Sequence, residues 1–470
     1  MQRKACDQCH TRRKRCLTPP ASSACTRCEK ASLTCTTSRQ QPRVGRPPKE
    51  DRGLPGAAKA SLGLWDCTTV SKPSEIPAAS ANPQPQPDDH LEFYLQHDIY
   101  MIGSTFASDF HRALEYCHSH SAPLLDDIFH ACSSSLSWAR FGVLSADQVD
   151  VASGAASVEK LRNAVITHTH DAAAVLMLGQ ALAAFDSLVA STATISILRY
   201  TLSLVQPWYP DILGNRILES VAIAPIFWDT VWCLLHREIP IVKPVLAREG
   251  IVDRVVGLCA SLLPILYDLS VVSHSLANSS ISESESVSQC ETLSIIENRI
   301  RTWDPEPILS TSSPSTNTHY TPLETLSMKT QASMYRTAIL LLIHHIRTSS
   351  PSPSPKHEYD TDTEYGPTLA TEILSTRANF FALAGPTAKL QNTCFPLILA
   401  MLTIPGIPTE GVWESSTRLQ NRPACVEKLS AFGEYFWMRR RVEEREKKKK
   451  KSTLFEIVCD ESGPGFVPLM

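Results

Sequence analysis

From about residue 90 onward the chain has one dominant texture, apolar residues recurring every three or four positions. The stretches LEFYLQHDIYMI (91–102), FHRALEYC (110–117), DAAAVLMLGQALAAFDSLVA (171–190) and ISILRYTLSLV (195–205) carry it. So do ILESVAIAPIFWDTVWCLLHRE (217–238), IVDRVVGLCASLLPILYDLSVV (251–272) and ETLSIIENRI (291–300). Towards the C-terminus come MKTQASMYRTAILLLIHHIR (328–347), TLATEILSTRANFFAL (368–383) and CVEKLSAFGEYFWMRRRVEE (425–444). That spacing places the apolar side chains on one face of a helix or makes a helix buried all round. Period-two alternation bounded by turn residues is missing, so residues 90–445 are expected to form one all-α domain.

Three polar stretches interrupt the pattern: 273–289 (SHSLANSSISESESVSQ), 310–319 (STSSPSTNTH) and 348–366 (TSSPSPSPKHEYDTDTEYG). Rich in Ser, Thr and Pro, they are expected to be disordered insertions, because such segments bury too little apolar surface to offset the entropy of ordering. The Ser-Pro steps at 350–355 suit proline-directed kinases, although ordinary loop composition explains them equally well. Before the helical region, residues 39–89 form a basic arm and then a Pro/Ala/Ser-rich segment that reads as a flexible tether. No heptad pattern lasts three turns there, so a homodimer through a coiled coil has no support.

Composition changes the picture only when the chain is divided. The 470 residues have a net charge of −3 and 43% hydrophobic content, as expected of a soluble globular protein. Residues 1–52, however, hold 13 Lys/Arg against 4 Asp/Glu, leaving 32 against 44 for the remainder. A basic head on an acidic body suggests that the head meets a polyanion. The longest apolar run, AILLLI (338–343), stops at His344 and His345, short of the ~18 residues of a membrane span. The opening residues MQRKACDQCH lack the apolar core of a secretory signal, so a reducing compartment is expected.

In such a compartment clustered cysteines favour metal over disulfides. Cys6, Cys9, Cys16, Cys25, Cys28 and Cys35 give C-x2-C-x6-C, a gap of eight, then C-x2-C-x6-C again. Two intervening residues let both sulfurs of each pair reach one metal, and the third thiol returns after a short helical turn. Three thiols per half leave each zinc one ligand short of four. Two bridging thiolates resolve the shortfall, and six sulfurs then complete two tetrahedra around two Zn²⁺ ions. An eight-ligand cross-brace would need donors the segment lacks. The other cysteines, such as Cys117, Cys233 and Cys394, are scattered singly and read as small core residues.

This segment closely resembles the fungal zinc binuclear cluster (six-cysteine) DNA-binding domain. The resemblance implies two short helices around two zincs, over residues 1–38. It further implies that Cys6 and Cys25 bridge the metals, with Cys9 and Cys16 completing one site and Cys28 and Cys35 the other. Arg12, Arg13, Lys14 and Arg15 lie between the second and third cysteines, where they would project from a turn of helix. They could serve as an import signal or phosphate contacts, or could read bases in the major groove of double-stranded DNA, where Arg or Lys bonds guanine O6 and N7. Members of the family read CGG triplets with the pair occupied here by Arg12 and Arg13, which favours base readout. The second position of that pair is usually Lys, and here it is Arg13. The loop LTPPASSA (17–24) is longer than the common form, and its Pro19 and Pro20 sit early.

Farther along, Arg43, Arg46 and Lys49 flank Gly45-Arg46-Pro47, which resembles an AT-hook lying in an A·T-rich minor groove. A basic linker touching only phosphates is the alternative, and either steepens the salt dependence of binding. The helical region resembles the fungal-specific transcription factor regulatory domain, on PIFWDTVWCLLHREIP (225–240), VGLCASLLPILYDLS (256–270), IIENRIRTWDPE (295–306) and QASMYRTAILLLIHHIR (331–347). Together the two resemblances imply a nuclear transcription regulator that is not an enzyme, with the transcription machinery or co-regulators as further partners.

Two other patterns bear on chemistry. His168-Thr169-His170-Asp171 has no third metal ligand at useful sequence spacing and reads as a helix start, with Asp171 suiting the N-terminal dipole. The run RRRVEEREKKKKK (439–451) reads either as a solvated helix end or as a second nuclear-import signal leading into the tail, 446–470. G-x-S-x-G, Walker and H-E-x-x-H motifs are absent from the sequence.

Overall fold

The computed structural model describes residues 101–460 except 142–145, 191, 247, 249, 278–282, 306–319, 350–363, 405–422 and 447–451, together with Cys25, Cys28, Lys30 and Cys35. The chain divides into two compact units, Met1–Pro73 and Ser74–Met470. In the first, Cys28 and Lys30 lie in helix. The tether and the stretch 91–100 lie outside the described residues.

The second unit is all-helical among its described residues, with one isolated bridge between Asp253 and Gly257. Its α-helices are α1 (Ala107–Phe141), α2 (Val151–Arg162), α3 (Thr169–Val189), α4 (Thr194–Val205), α5 (Tyr209–Gly214), α6 (Glu219–His236) and α7 (Leu263–Ala277). There follow α8 (Glu283–Arg301), α9 (Pro322–Ser349), α10 (Tyr365–Ala384), α11 (Cys394–Thr403), α12 (Pro423–Arg445) and α13 (Leu454–Val458).

The centre of the body is α3, where every residue from Ala172 to Leu188 is buried. By length and composition α3 and the segment Leu258–Ala277 could each cross a membrane. In α3, however, 94% of the apolar window is covered by the rest of the protein, the property of a core helix. α1, α2 and α4 pack against it. Gly179 permits the close approach of α4, since a Cβ there would lie 2.1 Å from Thr201 Oγ1. α1 is broken at Ser121 (φ −149°, ψ 43°), two residues before Pro123, which cannot donate to the helical ladder. α6, α9 and α11 meet through Tyr335, set edge-on to Phe227 at 5.2 Å and stacked on Phe395 at 5.8 Å.

Three expectations need correction. Residues 251–257 do not begin a helix: the Asp253 carboxylate accepts from the N–H groups of Val255 (2.8 Å) and Val256 (2.9 Å), and Gly257 takes φ +55°. Those bonds form a turn, and the helical path starts at Leu258. The polar stretch 273–289 is not a disordered insertion throughout. Its first five residues end α7 and its last seven begin α8, an exposed start to a helix that turns Leu293, Ile296 and Ile300 inward. The insertion 310–319 lies outside the described residues, as does most of 348–366, whose ends belong to α9 and α10.

The third concerns the basic run. α12 continues through Arg445 and is not a merely solvated end. Glu443 is buried and accepts from Ser452 N at 3.1 Å, while Arg440 donates to the Ser452 carbonyl at 2.5 Å. Arg439 pairs with Asp460, which also accepts from the Tyr435 hydroxyl at 2.6 Å. These bonds fasten 452–460 to α12, and α13 buries Leu454, Phe455, Ile457 and Val458. A reciprocal cap starts α13: Thr453 Oγ1 accepts from Glu456 N (3.2 Å) and Glu456 Oε2 from Thr453 N (2.7 Å).

Candidate metal centre and regulatory body

In the first unit Cys25, Cys28 and Cys35 come together. One sulfur from each lies within 4.8 Å of the others, and all three are thiols rather than half-cystines. Cys25 and Cys28 are buried and Cys35 is half-buried. Backbone donors point at the sulfurs: Cys25 N–H lies 3.3 Å from Cys35 Sγ, and Cys28 N–H 3.4 Å from Cys25 Sγ. Such N–H···S contacts favour the thiolate, the form that binds metal. Soft sulfur donors grouped in this way fit zinc, and three of them leave a tetrahedral position for a fourth. The grouping contains one C-x2-C pair and the cysteine seven residues beyond it, as the spacing predicts.

The remaining predicted positions lie outside the described residues: Cys6, Cys9 and Cys16 among the ligands, and Arg12, Arg13, Lys14, Arg15, Arg43, Arg46 and Lys49 among the DNA contacts.

In the second unit, buried polar groups pin helix ends to distant loops. Asp229 on α6 accepts from Ile241 N at 2.7 Å and lies 3.4 Å from Arg199 Nε. Burial raises its pKa, with those two partners opposing the rise. Arg199 also bonds Glu238 at 2.7 Å and stands 4.5 Å over Trp232, tying α4 to the end of α6. Arg254 donates to the Ser220 carbonyl at 2.6 Å and covers Phe110 at 4.1 Å, joining the turn after α6 to α1. Gln331 on α9 donates to the carbonyls of Val255 (3.0 Å) and Gln391 (3.1 Å).

His168-Thr169-His170-Asp171 is a helix start, as expected. Asp171 Oδ2 accepts from Thr167 N (3.0 Å), Thr167 Oγ1 (2.8 Å) and His168 N (3.0 Å) at the head of α3. The Thr167 hydroxyl does most to hold the carboxyl down, at about 2.

Residues 161–364 match the family model of the fungal specific transcription factor domain. The match runs from the end of α2 to the residue before α10 and contains all four stretches on which the sequence resemblance rests. The body is thus a large all-helical region consistent with a fungal transcription factor regulatory domain, which suggests a transcription regulator. No curated protein and no solved structure matches the chain.

Proposed function

We propose that this protein is a nuclear transcription regulator of RNA polymerase II genes that binds double-stranded DNA through a cluster of two Zn²⁺ ions and six cysteines. Cys6, Cys9, Cys16, Cys25, Cys28 and Cys35 hold the metals, and Arg12 and Arg13 read CGG-like triplets in the major groove. Lys14 and Arg15 assist, and the arm bearing Arg43, Arg46 and Lys49 adds contacts along the duplex. The helical body regulates this head, in control of metabolic or secondary-metabolite genes.

The match over 161–364 carries the reading, because a transcription factor domain then shares a chain with a basic six-cysteine segment. The thiol grouping of Cys25, Cys28 and Cys35 supports it from the other end. Zinc folds a segment too short for a core of its own, at ~10 kcal/mol in comparable modules. The test is Arg13→Ala in the full-length protein, measured on a selected site and on random duplex. Base readout predicts a loss of ~1–3 kcal/mol confined to the selected site. Equal losses on both duplexes leave phosphate contact only, and the head then becomes a protein-interaction module.

A further inference from the structure

Along the sequence His168, His170 and Asp171 lack a third imidazole, and the fold supplies one. The turn of α1 just before its break at Ser121 carries His120, whose ring centroid lies 5.0 Å from that of His170. His170 in turn stacks on His168, centroids 5.1 Å apart and planes inclined by 11°. One ligand atom from each of His168, His170 and Asp171 falls within 4.8 Å of the others.

The hydrogen bonds around this group set the tautomers. His120 Nδ1 lies 2.7 Å from the Tyr116 carbonyl, which can only accept, so Nδ1 carries the proton and Nε2 the lone pair. His168 Nδ1 lies 2.8 Å from Thr167 Oγ1, whose single proton is donated to Asp171 Oδ2. With that proton so placed, Thr167 Oγ1 is an acceptor for His168 Nδ1–H, the tautomer that leaves a lone pair on Nε2. A ring nitrogen fixed by a carbonyl or hydroxyl while the other stays open is the arrangement that supports a metal-ligating histidine. Asp171 divides its oxygens in the same sense. Oδ2 takes all three capping bonds, and Oδ1 faces His170 Nε2 at 3.4 Å. The helix start uses the first of these oxygens and the N-cap His168, but neither His120 nor His170.

We propose that His120, His168, His170 and Asp171 form a surface site for a divalent transition metal of the Zn²⁺ class, joining the break in α1 to the head of α3. Imidazole with one carboxylate suits zinc, nickel or cobalt. Ligand atoms of a tetrahedral zinc stand about 3.3 Å apart, which sets ring centroids about 5 Å apart, the spacing these rings already have. The helix N-terminus opposes a cation, and the Asp171 carboxylate offsets it.

The test uses tag-free, full-length protein already loaded with zinc and titrated with Co²⁺. One further equivalent is expected, with ligand-field absorption but without sulfur-to-cobalt charge transfer, and it should disappear in H120A/H170A. His168→Gln, at a more exposed ring, should weaken the same uptake at least tenfold with unchanged far-UV circular dichroism, which separates loss of a ligand from loss of fold. Absence of a sulfur-free equivalent, or the same uptake in H120A/H170A, overturns the site. The result does not depend on whether the head reads DNA.

Discussion

The backbone N–H of Cys25 points at the sulfur of Cys35, 3.3 Å away and ten residues along the chain. Together with Cys28 N–H against Cys25 Sγ, it makes Cys25 both a donor to one thiol and an acceptor from another residue of the same group.

The resemblance to the six-cysteine family gives Cys25 a bridging role between the two proposed zincs, and on that reading Cys25→Ser should cost more than one ligand's share. Replacing a bridging sulfur undoes both tetrahedra, so the full-length variant should retain fewer than two zincs by elemental analysis and lose specific DNA binding. The helical body should keep its thermal transition, because its core is built from other residues. Two tightly held zincs in the variant would contradict the bridging role.

Glu324 ties the start of α9 to the segment that precedes α1. Its carboxylate accepts from Thr105 N (3.0 Å) and Thr105 Oγ1 (2.6 Å), 219 residues away, and from Thr321 N (2.7 Å) at the start of α9. Gly103 leaves room for it, since a Cβ there would lie 2.1 Å from Glu324 Oε1. Burial raises the carboxyl's pKa, but the bonds from Thr105 and Thr321 outweigh it and the net shift is downward. Such a group stabilises the fold above its unfolded value near 4.5 and loses that contribution as pH falls through the lower folded value. Glu324→Ala should cost about 1–2 kcal/mol in a urea titration at neutral pH, from the lost hydrogen bonds to the part-buried Thr105 and Thr321 groups. The difference from the parent protein should shrink in acid.

His345 responds to acid in the same direction for a different reason. Burial, then the neighbouring His344 and Arg440, lower its pKa from 6.5 to about 3. Thr403 Oγ1 donates to the Leu399 carbonyl (2.7 Å), so it accepts from His345 Nε2–H at 3.0 Å, and the ring stays neutral. Between those two pH values the unfolded chain binds a proton that the folded chain refuses. Stability should therefore fall as pH drops from 6.5 towards 3. His345→Gln should flatten this dependence in urea midpoints taken over that range, and an unchanged slope would place the acid sensitivity elsewhere.

How far the sequence foretold this molecule depended on the signal each residue carries. The helices α4, α6 and α9 were legible because apolar positions repeat at helical spacing, and α3 because its apolar run, buried all round, is long. α11 (CFPLILAMLT) was not picked out: apolar on all sides, it has no period. The start of α8 was hidden by the opposite cause, a polar surface turn whose anchoring residues come only at Leu293 and beyond. The turn at Asp253 was missed because one carboxylate capturing two N–H groups overrides the apolar texture around it. In the candidate site the thiols were plain, since metal chemistry fixes their spacing within thirty residues. His120 was not, because it meets His170 only through the packing of α1 against α3.

The central claim is that the cysteine-rich head reads sequence. The most direct measurement is a selection of binding sites from random duplexes with zinc-loaded, full-length protein. Enrichment of CGG-like triplets is expected, lost when zinc is removed, with single or paired triplets reporting monomer or dimer. Bound zinc with no enriched sequence would contradict it.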